Sequence, residues 1–106
     1  MKLSPSKRAL ELFKGPEDGG ETIAIAPFKW KSGEWVELRL QVRNAGGDVW
    51  RVEGKAWMDG DPEPADWAVS YVEKRKPLPG RPFVAASPYS DTAIRFDDLT
   101  VSKADE

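Results

Sequence analysis

Histidine and cysteine are both absent from this chain. Their absence excludes Cys/His zinc sites, haem or iron–sulfur ligation by those residues, and Ser-His-Asp or Cys-His nucleophiles. Disulfides are excluded too, so the sequence carries no mark of its redox compartment. No run approaches the roughly 18 apolar residues of a membrane span. Met1 to Pro5 is not followed by the apolar stretch of a signal peptide. Positive charge is not in excess, since 16 Lys and Arg against 18 Asp and Glu leave −2. A nucleic-acid surface needs a basic footprint to neutralise phosphates. Neither nucleic acid nor a membrane is therefore expected as a partner. Carboxylate acid–base chemistry, oxygen-ligated Ca²⁺ and binding by aromatic or polar side chains remain open.

What is present is strand and turn chemistry. The 106 residues are enough for one small domain spanning 1–106, and the 40% hydrophobic, 32% charged balance is that of a folded chain. The basic N-terminal stretch with Lys2, Lys7, Arg8 and Lys14 reads as a solvated terminus. Ala9 to Lys14 reads as a strand or a turn and a half of helix, a hairpin with the next run favouring Leu10 to Lys14 as a strand, and Gly15 to Gly20 reads as a dense turn. Glu21 to Ala26 follows as a strand with Ile23 and Ile25 on one face. Trp35 to Arg43 alternates strictly: Val36, Leu38, Leu40 and Val42 against Trp35, Glu37, Arg39 and Gln41. Such a strand has one apolar and one wet face.

Asn44 to Asp48 is a turn, and Val49 to Met58 returns as the other arm of a hairpin. Trp50, Val52, Gly54, Ala56 and Met58 form its expected core face, the small pair leaving room for a bulky neighbour such as Trp30 or Phe83. Glu37 and Arg39 are expected to face Lys55, Glu53 or Arg51 across the hairpin. Asp59 to Asp66 is a proline-stiffened acidic loop. Trp67 to Val72 and Pro82 to Ser87 read as short strands, with a turn at Pro88 to Asp91. Ala93 to Ser102 reads as the last strand. Its apolar parity slips between Ile94–Phe96 and Leu99–Val101, which predicts a β-bulge at Asp97–Asp98. Short strands, Gly/Pro turns and no helical period give an all-β fold.

Three segments carry a resemblance. Ala26 to Val42 is similar to the "W-x-x-G-x-W-x-x-L-x-L-x-V" strand pair of concanavalin A-like (laminin-G-like) jelly rolls. Gly54 to Trp57 followed by Glu63 to Trp67 is similar to the "K-x-W … E-P-x-x-W" segment of their bacterial versions. Ile94 to Val101 resembles their closing "I-x-F-D-D-hydrophobic-x-V" strand. Such domains occur in bacterial proteins with PQQ-type β-propeller repeats, and the 3-keto-disaccharide hydrolase family is a more distant relative. The resemblance covers the chain from about Ala9 onward. It corresponds to the C-terminal half of a jelly roll that usually runs to nearly twice this length. It therefore implies an antiparallel jelly-roll-like β-sandwich of about six or seven strands, incomplete by its other half, and full-length relatives that are exported.

The wet face of the long hairpin is the first candidate site. Trp35, Glu37, Arg39, Glu53, Lys55 and Trp57, with Gln41 and Arg51 beside them, combine an aromatic platform with charged hydrogen-bonding groups. A sugar ring stacks on such a platform while its hydroxyls are held by carboxylate or guanidinium. The competing reading is an ordinary solvated sheet face. Trp30, Trp50 and Trp67 are read as core or loop anchors.

The other candidates are carboxylates. Asp59, Asp61, Glu63 and Asp66 could ligate Ca²⁺ through oxygen, although the spacing is not that of an EF-hand and prolines restrict the loop; the competing reading is a stiff turn. Asp97 and Asp98 are adjacent on a strand and so point apart, one of them serving as a structural acceptor. A glycosidase pair needs two carboxylates about 5–9.5 Å apart across a cleft, and Glu37 with Glu53 is the available choice, without a glucanase signature. No cofactor is expected. The function expected is a non-catalytic module, either binding carbohydrate or serving as a structural or protein-interaction part of a larger exported protein. A glycoside-hydrolase-like enzyme is the third reading. A half-sandwich leaves open sheet edges, which invite self-association or a partner domain.

Overall fold

The computed structural model describes residues 1–15, 20–77, 80–82, 84–86 and 93–104. The protein is all-β and antiparallel, with six strands among these residues in two three-stranded sheets. The first sheet joins β1 (Lys2–Ser4), β2 (Ala9–Lys14) and β3 (Glu21–Pro27) in that order. The second joins β4 (Val36–Gly46), β5 (Val49–Met58) and β6 (Val69–Glu73). Each sheet is a meander, so every strand pairs with its neighbour in sequence. No helix of the described residues is long and apolar enough to cross a membrane.

The first sheet departs from the sequence reading at two points. Lys2 to Ser4, expected as a solvated terminus, pairs with Ala9 to Glu11. Lys7, in the turn between them, reaches Glu11 at 3.0 Å and neutralises a carboxylate that is 1% exposed. Ile23 and Ile25 were expected to share one face. Instead, Ala26 and Ala24 lie opposite Leu10 and Leu12, and Ile25 is exposed. The register shifts beside Leu12, leaving Ile23 as an extra residue between Ala24 and Thr22. Such a bulge reverses parity, which is how Ile23 also packs on the core.

The hairpin of β4 and β5 forms as read. Its register pairs Leu38 with Ala56, Leu40 with Gly54 and Val42 with Val52. The turn is held by Asn44, whose Oδ1 accepts from the Gly46 amide at 2.7 Å while its Nδ2 donates to the Gly47 carbonyl. Gly46 and Gly47 have φ of 121° and 57°, a region that L side chains rarely enter.

The core is Leu10, Leu12, Ala56 and Val69, with Met1, Leu3, Val52 and Tyr71 among those packed around it. Trp30 does not fill the space over Gly54. Met1 and Val69 do, since a Cβ on Gly54 would meet Met1 Sδ at 2.5 Å and Val69 Cγ2 at 3.1 Å. Trp30 stacks on Phe28 instead, and Phe83 lies outside the described residues.

The main correction concerns the apolar face of β4. Strands β2 and β3 approach β5 and β6 only, and no strand of the first sheet reaches β4. Leu38, Leu40 and Val42, expected inside, are 48%, 49% and 41% exposed. The residues 93–102 expected as a closing strand form no strand among their described part, and Ile94, Phe96, Leu99 and Val101 are exposed. At the place of the parity slip Asp98 has φ 53° and its amide donates to Asp97 Oδ1 at 2.8 Å. The described residues of 82–87 form no strand either. Phe83, Ser87, the expected turn at Pro88 to Asp91, and Pro16 to Gly19 of the first turn lie outside the described residues.

Candidate functional site

The hairpin positions the candidate residues on its wet face. Glu37 lies opposite Trp57, Arg39 opposite Lys55, Gln41 opposite Glu53 and Arg43 opposite Arg51. Two of these pairings, Arg39 with Lys55 and Arg43 with Arg51, set like charges together, contrary to the cross-hairpin ion pairs expected. Acids from elsewhere resolve the conflict. Glu63, from the acidic loop, meets Arg39 Nη1 at 2.8 Å and Lys55 Nζ at 3.0 Å. Glu53 sits diagonally from Arg43 and accepts from its Nε at 2.8 Å.

The acidic loop thus lies over the face rather than away from it. Lys55 donates to the Pro64 carbonyl at 2.6 Å and is buried. The Trp67 ring completes the cover, with Lys55 Nζ 4.7 Å and the Arg39 guanidinium 5.9 Å from its centroid. Trp67 was expected only as an anchor; its contribution here is a face for two cations. Glu63 and Trp67 are the residues that sequence reasoning missed on this face. The signal was present in their order, a Pro-stiffened loop returning directly to a strand beside β5.

The six sequence candidates are accordingly divided. Arg39 and Lys55 are engaged by Glu63, Pro64 and Trp67. Glu53 is buried and held by Arg43. Trp57 is half-buried, and Trp35 stays half-exposed at the strand entry. The Glu37 carboxyl is pushed up from the ordinary range by desolvation first, then by Asp59, with Asp98 adding like charge. Glu63 is held below the ordinary range, chiefly by its hydrogen bond from Lys55.

These placements bear on the carboxylate chemistry. In the β4–β5 register Glu37 and Glu53 are four residues apart along the strands, about 13 Å of backbone, beyond the roughly 5–9.5 Å of a glycosidase pair. Among the described residues no three acids gather as a metal cluster, and Glu63 of the loop acids is already neutralised by two cations. Away from this face, Pro5, Arg8, Lys29, Trp30 and Ser32 line a concavity of about 380 Å³. All but the half-buried Trp30 are exposed, so water competes fully for its two cations.

No family model, curated protein or solved structure matches the chain. Its chemistry is therefore read from its own geometry.

The other notable surface is the opposite face and free edge of β4. Among the described residues β4 pairs only with β5, so half the backbone donors and acceptors of an eleven-residue strand are available to another strand. Natural edge strands are usually short, bulged or charged on the inward face to prevent such pairing. Along Val36 to Val42 this one carries apolar residues at every inward position.

Proposed function

We propose that this protein is a non-catalytic β-sandwich module whose β4 edge receives an extended strand from a protein partner. The observation that carries the reading is the coincidence on one strand of an edge unpaired among the described residues and an exposed apolar stripe, Leu38, Leu40 and Val42. Strand addition satisfies the free backbone groups, and alternate apolar side chains of the incoming strand extend the stripe. Completing the burial of each of the three side chains contributes about 1 kcal/mol, half the value for a fully exposed one. A chain equivalent to the C-terminal half of a concanavalin A-like jelly roll would have such an edge, and that kinship belongs to the same proposal.

The carbohydrate reading is less well supported. Its cations are occupied by the protein's own loop, and a sugar would have to displace Glu63 and Trp67 to reach them. Selection of displayed random peptides on the protein tests the proposal. The expected winners alternate apolar and polar residues, and lose binding at least tenfold to Leu40→Lys protein that melts at the wild-type temperature. Winners indifferent to Leu40→Lys, or none above background, would overturn it.

A further inference from the structure

We propose that the strand received at β4 is β4 of a second copy, in an antiparallel pair centred on Leu40; this rests on the strand-receiving reading above. A twofold register that places Leu38, Leu40 and Val42 on the same face as their counterparts must be centred on a residue rather than between two neighbours, because side chains alternate. Centring on Gln41 would pair all eleven residues of the strand but set Arg39 against Arg43 twice, and centring on Arg39 would set the two Arg39 side chains together; centring on Leu40 pairs Val36 through Asn44. It sets Leu40 against Leu40 and Leu38 against Val42 on the apolar face.

The wet face then decides in favour of a copy. The same register places Glu37 of each chain opposite Arg43 of the other, twice by symmetry, and Arg39 opposite the neutral Gln41. No like charges are directly opposed. Glu37 stands in an acid-rich corner with Asp59 and Asp98, where an incoming guanidinium is complementary. Arg43 commits its Nε to Glu53, and a guanidinium has further N–H donors suited to a carboxylate. Self-complementarity of this kind is the requirement of a twofold interface.

The chain's own residues 93–102 are the competing occupant. With Asp98 beside Glu37 and the apolar residues in phase, an antiparallel Ile94–Leu99 strand would set Arg95 against Arg39 and Asp97 and Asp98 against Glu37. Like charges directly opposed across strands are destabilising, which disfavours that arrangement.

The absence of cysteine makes the register directly measurable. Directly opposed antiparallel residues have Cα atoms about 4.5–5.5 Å apart, within disulfide reach, whereas residues four positions off are not. Under mild oxidation Leu40→Cys should couple to itself at least tenfold faster than Leu38→Cys does. Leu38→Cys mixed with Val42→Cys should give the mixed dimer. Light scattering of the wild type should show twice the 11.8 kDa chain mass, and Leu40→Lys, at a half-exposed position, should return it to one.

A wild type that stays monomeric at millimolar concentration overturns the proposal. So does a dimer in which Leu38→Cys couples to itself as fast as Leu40→Cys, or an Ile94→Cys/Leu40→Cys chain that closes within itself. The peptide selection separates the two levels. Peptide binding lost in Leu40→Lys, together with a monomeric wild type, leaves strand addition standing with another partner, whereas indifference to Leu40→Lys removes both.

Discussion

Glu37 and Glu63 stand on the same side of one hairpin and respond oppositely to acid. Glu63 is held low by Lys55, so its charged form stabilises the fold above the ordinary carboxylate value of 4.5 and that contribution is lost as pH falls through its lowered folded value. Glu73 behaves alike through its bond from Lys14. Lys14 is itself raised by Glu73, so its contribution is complete below 10.5 and is lost as pH climbs through its raised value. Glu37 is raised by desolvation, so its charged form opposes folding at neutral pH and protonation relieves it. At low protein concentration, where pairing at β4 does not contribute, Glu37→Gln should therefore raise the melting temperature at pH 7, and Glu63→Gln should lower it. Both differences should shrink as pH falls from 7 to 3, and both should shrink in high salt because these groups are at the surface. Circular dichroism melts at the two pH values check the signs. The charge positions were legible in the sequence as a wet strand face. Which acid neutralises which cation was not, because Glu63 reaches Arg39 from 24 residues away.

Among the elements, β6 carries most of the contact between the sheets, β5 meets β2 beside it, and the sequence of β5 shows why it can. Gly54 and Ala56 are its small residues on the apolar side, and the first sheet approaches there rather than at the bulkier Leu38 and Leu40 of β4. Gly54 admits Met1 to a distance that any Cβ would obstruct. Gly54→Val should accordingly destabilise by about 1–3 kcal/mol, the usual cost of overpacking a filled site, measured by urea denaturation. Gly54→Ala should cost less, because the flexible Met1 thioether can move while Val69 makes a tight but tolerable contact. The alternation of β4 and β5 was readable because a period of two is local. The parity of β3 was misread because one bulged residue inverts every assignment on the far side of it.

At the scale of the whole molecule, surface is in excess. The chain exposes 8784 Å², against about 5,900 Å² for a compact protein of its mass. The exposed apolar residues of β4 and of 93–101 contribute to that difference. Association at β4 would bury part of it, and binding to the folded state alone raises stability by mass action. The melting temperature of the wild type should therefore climb with protein concentration between micromolar and millimolar, while that of Leu40→Lys stays constant. Calorimetry at several concentrations measures this directly.

The sequence by itself determined the all-β class, the antiparallel hairpin at Val36 to Met58 and its turn, since alternation and positive-φ glycines act over a few residues. It also excluded histidine and cysteine chemistry outright. Tertiary structure alone decided which apolar face is covered, because burial depends on where a second sheet comes to rest. It decided likewise that Glu63 and Trp67 close over Arg39 and Lys55, since both come from outside the hairpin. Leu38, Leu40 and Val42 have a core pattern in sequence. The packing of β2 and β3 over β5 and β6 leaves them outside, and that exposure is where the functional reading now rests.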